Sequence, residues 1–269
     1  MKSSKALILV VAVAWVVAIG TNCVGQTTQL YQQMTSSQRA DFVSAKAKDI
    51  GRRISDSEYE FTPSFETEIQ LSLDTYVQRL ANPKGGGPLL TMTRAQAHAP
   101  TIMTAFKARG VSPLIGLYIP WIESDYINLA SPAESGSVGL FQFIPQTGMR
   151  LGLTPDDLMN VEKSADAAAR YLAINIKMFE KDDMKEALAL LAYNRGENNV
   201  QSDVARLVNK KNKSCSICAL TEQRDKLDKS FNSESVYYVP RFFAAAILGE
   251  NPQAFGLSSP PLSSFGTGH

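Results

Sequence analysis

The chain is poor in metal-binding side chains. Among 269 residues there are two histidines, His98 and His269, and three cysteines. That leaves little material for a protein-built metal site. It also lacks a charge excess of either sign, with 27 Lys+Arg against 26 Asp+Glu. A nucleic-acid binder is expected to carry a basic excess or stripe, and the Lys210-Lys211-Asn212-Lys213 cluster is too short to supply one. No stretch alternates apolar and polar residues over a useful length, so the fold class expected is mainly α. Neither internal repeats nor low-complexity tracts occur.

A long apolar run is missing as well. The longest, residues 6–19, falls short of the roughly 20 residues that span a bilayer as a helix. It follows Lys2 and Lys5 and ends at the small residues Ala18 and Gly20, which is the pattern of a secretory signal peptide cleaved near Gly20 or Gly25. We therefore take residues 1–25 as a signal peptide and expect an exported protein of the periplasm or cell envelope. Cys23 lies where a bacterial lipoprotein carries its acylated cysteine, but Gly20-Thr21-Asn22 before it is a poor match to such sites. Cys215-Ser216-Ile217-Cys218 has no second pair to complete a zinc ribbon; in an exported chain it is expected to close a short disulfide in a Lys/Asn-rich loop.

Helical signals fill what remains. Phe65, Ile69, Leu73, Tyr76, Val77 and Leu80 recur at three- and four-residue steps after Pro63-Ser64. Residues 82–88 break this helix, and another is expected from Thr93 to Arg109 with Gly110 at its C-terminal cap. Ser112 as N-cap and Pro113 as first helical residue start a helix that is apolar nearly all round and ends at Glu123-Ser124-Asp125. Residues 125–142 are expected to be irregular chain or a short hairpin, with helices following at 163–181, 183–194 and 235–248. Residues 28–54 show only weak helical periodicity. The Pro/Ser/Gly-rich stretch from Asn251 is expected to be loosely ordered, with residues 258–269 a flexible tail.

Glu123 is the candidate reactive group. A carboxylate at the C-terminal end of an apolar helix meets an unfavourable dipole, and Ile119, Trp121 and Ile122 desolvate it. Both effects raise its pKa and favour the protonated acid that a departing glycosidic oxygen needs. Read alone, the plain alternative is an exposed glutamate at a helix end.

Three further segments change the weighting. Gly136-Ser137-Val138-Gly139-Leu140-Phe141-Gln142 comes first, Ala192-Tyr193-Asn194-Arg195-Gly196 second, and Glu234-Ser235-Val236-Tyr237-Tyr238-Val239-Pro240-Arg241 third. With Glu123-Ser124, these resemble in order and spacing the lytic transglycosylases of the bacterial cell wall. The nearest likeness is to membrane-bound lytic transglycosylase D. The resemblance covers roughly residues 98–257. It implies a lysozyme-like (goose-type, SLT) helical catalytic domain, set at residues 96–257 and preceded by a helical N-terminal extension at 26–95. By resemblance Glu123 is the catalytic acid/base, and Ser131, Gln142, Tyr193, Asn194 and Tyr238 bind the saccharide. No cofactor or metal is called for. The implied partner is the peptidoglycan strand, cleaved between MurNAc and GlcNAc to leave 1,6-anhydroMurNAc ends, and the membrane is touched only through the signal segment or a lipid at Cys23.

The chain also departs from the family pattern. The proline expected shortly after Glu-Ser is absent, Ser131 falls one residue early, and the loop 133–137 is about two residues longer, which adds Glu134 near the cleft. The family's frequent LysM repeats are not found, so the catalytic domain is expected to reach the wall alone or through a partner. Two alternatives remain: a lysozyme-like hydrolase with Asp125 or Glu134 as second carboxylate, and a catalytically silent wall-binding protein.

Overall fold

Prolines punctuate this chain at helix starts. A proline at the first helical position has no N–H to leave unpaired and its φ is already helical. Helices open in this way at Pro63, Pro88, Pro113, Pro145 and Pro155. The computed structural model describes residues 29–81, 87–130, 136–209 and 213–266. The expectations for residues 1–25, Cys23, Ser131 and Glu134 lie outside the described residues.

In chain order the helices are α1 (Ser36–Ile54), α2 (Pro63–Ala81), α3 (Pro88–Ala108), α4 (Pro113–Ser124), α5 (Pro145–Arg150) and α6 (Pro155–Met159). They continue with α7 (Val161–Met178), α8 (Lys185–Arg195), α9 (Glu197–Leu207), α10 (Ser216–Glu222), α11 (Lys229–Ser233) and α12 (Tyr238–Glu250). Among the described residues the only β pairing is two isolated bridges, Leu129 with Gly139 and Val138 with Phe143. The expected mainly α class is what the molecule shows.

α12 is the hub. Phe242 to Leu248 are all fully buried, because α1, α2, α4 and α8 pack around it. Each aromatic there meets another: the ring of Phe243 lies 5.0 Å from Phe61 and that of Phe242 6.3 Å from Tyr118, both edge to face. α3 joins α4 and α7, and α7 joins α8, to close the second side. The whole forms one continuous core from Tyr31 to Leu262.

Several local expectations need correction. α1 is a full helix rather than a weakly periodic stretch. Thr35 and Gln38 cap it reciprocally, and it buries Val43, Ala47, Ile50 and Ile54. α3 begins at Pro88, five residues before Thr93, because Pro88 initiates it directly after Gly87. Ser112 does occupy the N-cap position of α4, but its hydroxyl donates to the Arg53 carbonyl at 2.8 Å instead of capping. Cys215 and Cys218 are disulfide-bonded as expected, yet buried at the start of α10 rather than in an open loop.

The tail is also fastened. Residues Leu262–Gly266 form a short 3-10 helix against α3, with Leu262 fully buried. Its anchor is Glu250, a buried carboxylate at the end of α12. Tyr118 and Arg53 donate to it at 2.6 Å each, and the Ser263 backbone N–H and hydroxyl add 3.0 and 2.5 Å bonds. A buried carboxylate needs this many donors to remain in place. The result ties α1, α4, α12 and residues 258–266 together, so that stretch is not a flexible tail.

Candidate active site

Glu123 stands in the last turn of α4, a helix buried along Leu114 to Trp121. Tyr238, the first residue of α12, donates its hydroxyl to Glu123 Oε1 at 2.6 Å. Burial raises the Glu123 pKa from 4.5 to about 7; the Tyr238 hydrogen bond and the nearby positive charge of Arg241 oppose the rise, and Glu234 adds to it. The carboxyl is thus substantially protonated at neutral pH, as its apolar helix leads one to expect.

Two cavities meet at this residue. One, of about 540 Å³, is walled by Ser72, Thr75 and Arg79 of α2 together with Trp121, Tyr237 and Arg241. The other, of about 470 Å³, is walled by Ser137, Gln142, Phe143, Tyr193, Asn194 and Glu234. Glu123 lines both. A long ligand passing from one to the other would cross its carboxyl.

The loop after α4 is bound to the helix end. Ser124 donates to the carbonyls of Pro120 at 3.1 Å and Leu140 at 2.9 Å, which explains a serine beside the acid. Gly139 has φ +80°, and a Cβ there would sit 2.2 Å from the Leu158 carbonyl oxygen, so only glycine fits. Gln142 follows at φ +48°, a conformation uncommon for a side-chain-bearing residue. Its amide donates to the Gly139 carbonyl at 2.7 Å and accepts from Ser137 at 2.9 Å, which holds it at the rim of the second cavity.

At the end of α8, the Tyr193 hydroxyl donates to the Phe141 carbonyl at 2.8 Å, while its ring lies beside Phe143 and Tyr171. The neighbouring Asn194 donates to Glu234 at 2.9 Å and accepts from Ser235 at 2.8 Å. Behind them Arg195, almost fully buried, joins Asp203 and Asp228 at 2.7 Å each. Gln142, Tyr193 and Asn194 therefore share one cavity wall with Glu123.

Tyr238 does not. It is 1% exposed and lines neither cavity; its hydroxyl is spent on the Glu123 carboxyl. Asp125, considered as a second carboxylate, is paired with Arg79 at 2.8 Å and accepts from Thr91 at 3.1 Å. Ser131 and Glu134 remain outside the described residues.

Glu234 and Arg241 bracket the Tyr-Val-Pro motif and line the cavities, but neither charge has a sequence signal of its own. A further cluster is Tyr171–Glu197–Arg150, where Tyr171 donates to Glu197 at 2.6 Å and Arg150 at 3.3 Å. That cluster joins α5, α7 and α9 and has no local signature. Among the described residues no group of three or more His, Cys, Asp or Glu side chains is placed to hold a metal ion, and no helix is long and apolar enough to cross a membrane.

Residues 100–215 match the family model of the Transglycosylase SLT domain. That stretch of the helical unit around Glu123 is thus similar to transglycosylase SLT domains. A stretch of 101 residues is also 36% identical to the peptidoglycan transglycosylase gp16 of Escherichia phage T7, over 36% of this chain and 7% of that protein. The matched stretch is thus a small part of that relative's length. Neither comparison bears on the likeness to membrane-bound lytic transglycosylase D.

Proposed function

We propose that the protein is a peptidoglycan lytic transglycosylase that cleaves the β-1,4 bond between MurNAc and GlcNAc and leaves a 1,6-anhydroMurNAc end. The observation that carries this reading is Glu123: one carboxyl, raised to about pKa 7, at the junction of two cavities. Protonated Glu123 gives its proton to the departing glycosidic oxygen as the C1–O bond breaks. The resulting carboxylate then takes the proton of the C6 hydroxyl on the same muramic ring, whose oxygen closes on C1. Proton and bond counts balance without water. Intramolecular attack brings a high effective concentration, so a second carboxylate is not needed to position a nucleophile.

The rest of the site suits a hydrogen-bonding glycan. Gln142 and Asn194 present fixed amides and Tyr193 a ring face, each held by bonds within the protein. Fixed donors and acceptors bind an oligosaccharide at lower entropic cost. Residues 1–25 serve in this reading as an export signal, which delivers the enzyme to its substrate in the periplasm or cell envelope.

Digestion of purified peptidoglycan with mass analysis of the products tests the proposal. Anhydro ends are expected. Reducing ends alone would make the protein a hydrolase, and binding without cleavage would make it a wall-binding protein. N-terminal sequencing of the native protein is expected to start after Gly20 or Gly25; an intact Met1 would remove the export reading.

A further inference from the structure

The first cavity contains an arginine that is joined to no carboxylate in an ion pair among the described residues. Arg241 lies three residues after Tyr238, on the same face of α12, and is partly exposed where it lines this cavity. Among the described residues it makes no ion pair, and its Nε–H is buried with no acceptor. Apart from Glu123, which accepts from the Tyr238 hydroxyl, the other charges of the cavity are committed. Arg79 pairs with Asp125 at 2.8 Å and Glu68 with Arg224 at 3.4 Å. Buried Trp121, whose indole N–H also has no acceptor, lines the same cavity.

An unpaired guanidinium beside the acid can donate to the hydroxyls of a neutral sugar, but charge-assisted bonds to an anion are roughly twice as strong. It can grip an anion with two parallel N–H bonds. We propose that Arg241 is the anion-binding group of this cavity and takes a carboxylate carried on the muramyl side branch of the glycan. The proposal rests on the transglycosylase reading above. Two sources offer that chemistry: the lactyl carboxylate of a strand stripped of its peptide, and a carboxylate of the stem peptide itself.

The experiment compares two pairs of glycans with the full chain. One pair is stripped glycan with its lactyl carboxyl free or capped as the methylamide. The other is peptide-bearing glycan with its peptide carboxyls free or capped. For each pair the ratio of kcat/KM, free over capped, is measured in wild type, Arg241→Gln and Arg241→Lys. Any effect of the substitution on Glu123 acts on both members of a pair and cancels in the ratio.

Wild type is expected to favour the free carboxylate by about 10-fold or more in one pair, mainly through KM, which identifies the source. Arg241→Gln is expected to bring that ratio close to one, and Arg241→Lys to keep part of it, since a point charge remains without the fork. Wild-type ratios near one in both pairs overturn the proposal whichever variants fold. So does a ratio that Arg241→Gln leaves unchanged. If wild type cleaves none of the four glycans, the transglycosylase reading falls first, and the two failures are told apart.

Discussion

Above about pH 7, Glu123 lowers the stability of the fold that holds it. Its pKa rises from 4.5 to about 7 on folding, so the folded state holds the proton more tightly than the unfolded chain. That advantage is complete below the ordinary carboxyl pKa and is lost as the pH climbs through about 7. Glu123→Gln keeps an oxygen for the Tyr238 hydroxyl and removes the ionisation. It is expected to unfold at higher urea than wild type at pH 8, by about 1–3 kcal/mol, and to match it more closely at pH 4. The same variant should lose about 10²–10⁴-fold in turnover. Near-wild-type activity in a folded Glu123→Gln protein would sink the acid/base assignment. Tyr238→Phe acts in the opposite sense on the proton. The hydroxyl favours the charged carboxylate, so its removal raises the Glu123 pKa further, moves the alkaline limb of the pH–rate profile upward and lowers kcat by about 10-fold. An unmoved limb would show that the 2.6 Å hydrogen bond has no electrostatic part in the reaction.

Elements differ in how far their own residues announce them. α2 and α4 are legible because a proline start and an apolar period coincide in one window. α1 is faint because Ala47 and Gly51 occupy buried positions that a period search expects to be large. The order of Leu262–Gly266 has a weak local cause, the bonds of Ser264 to the Pro261 carbonyl, and is completed by Glu250 and α3, which lie outside any local window. The site divides in the same way. Glu123, Gln142, Tyr193 and Asn194 sit in linear motifs, whereas Thr75 and Arg79 reach the groove only because α2 packs on α12. The loop following α4 provides a test at this scale. Gly139→Ala adds a methyl 2.2 Å from a backbone oxygen at φ +80°, and should cost about 2–4 kcal/mol in urea unfolding along with most activity. Gly110→Ala, at φ +68° with nothing within 4 Å, should cost only about 1–2 kcal/mol and spare activity. Equal losses would mean that dihedral strain, not the approach to Leu158, sets the requirement at Gly139.

At the scale of the molecule, α2 is structural to the half that holds Glu123. Phe65, Ile69 and Leu73 of α2 are fully buried in the core that α12 centres, and α2 builds a wall of the first cavity. Residues 96–257 expressed alone are expected to melt without a cooperative transition, to bind a hydrophobic dye and to leave peptidoglycan uncut. A sharp melt with retained activity would restore the extension to an independent appendage. The family match adds a historical side to this. It runs from 100 to 215, whereas Tyr238 and Arg241 lie beyond it and Arg79 before it. A recombination event that carried only the matched block into another gene would deliver the acid stripped of its oxygen donor and with one bank of its trench missing. If the proposed function holds, breakpoints that preserve it fall before residue 63 and after residue 250, and the working unit is longer than the matched one.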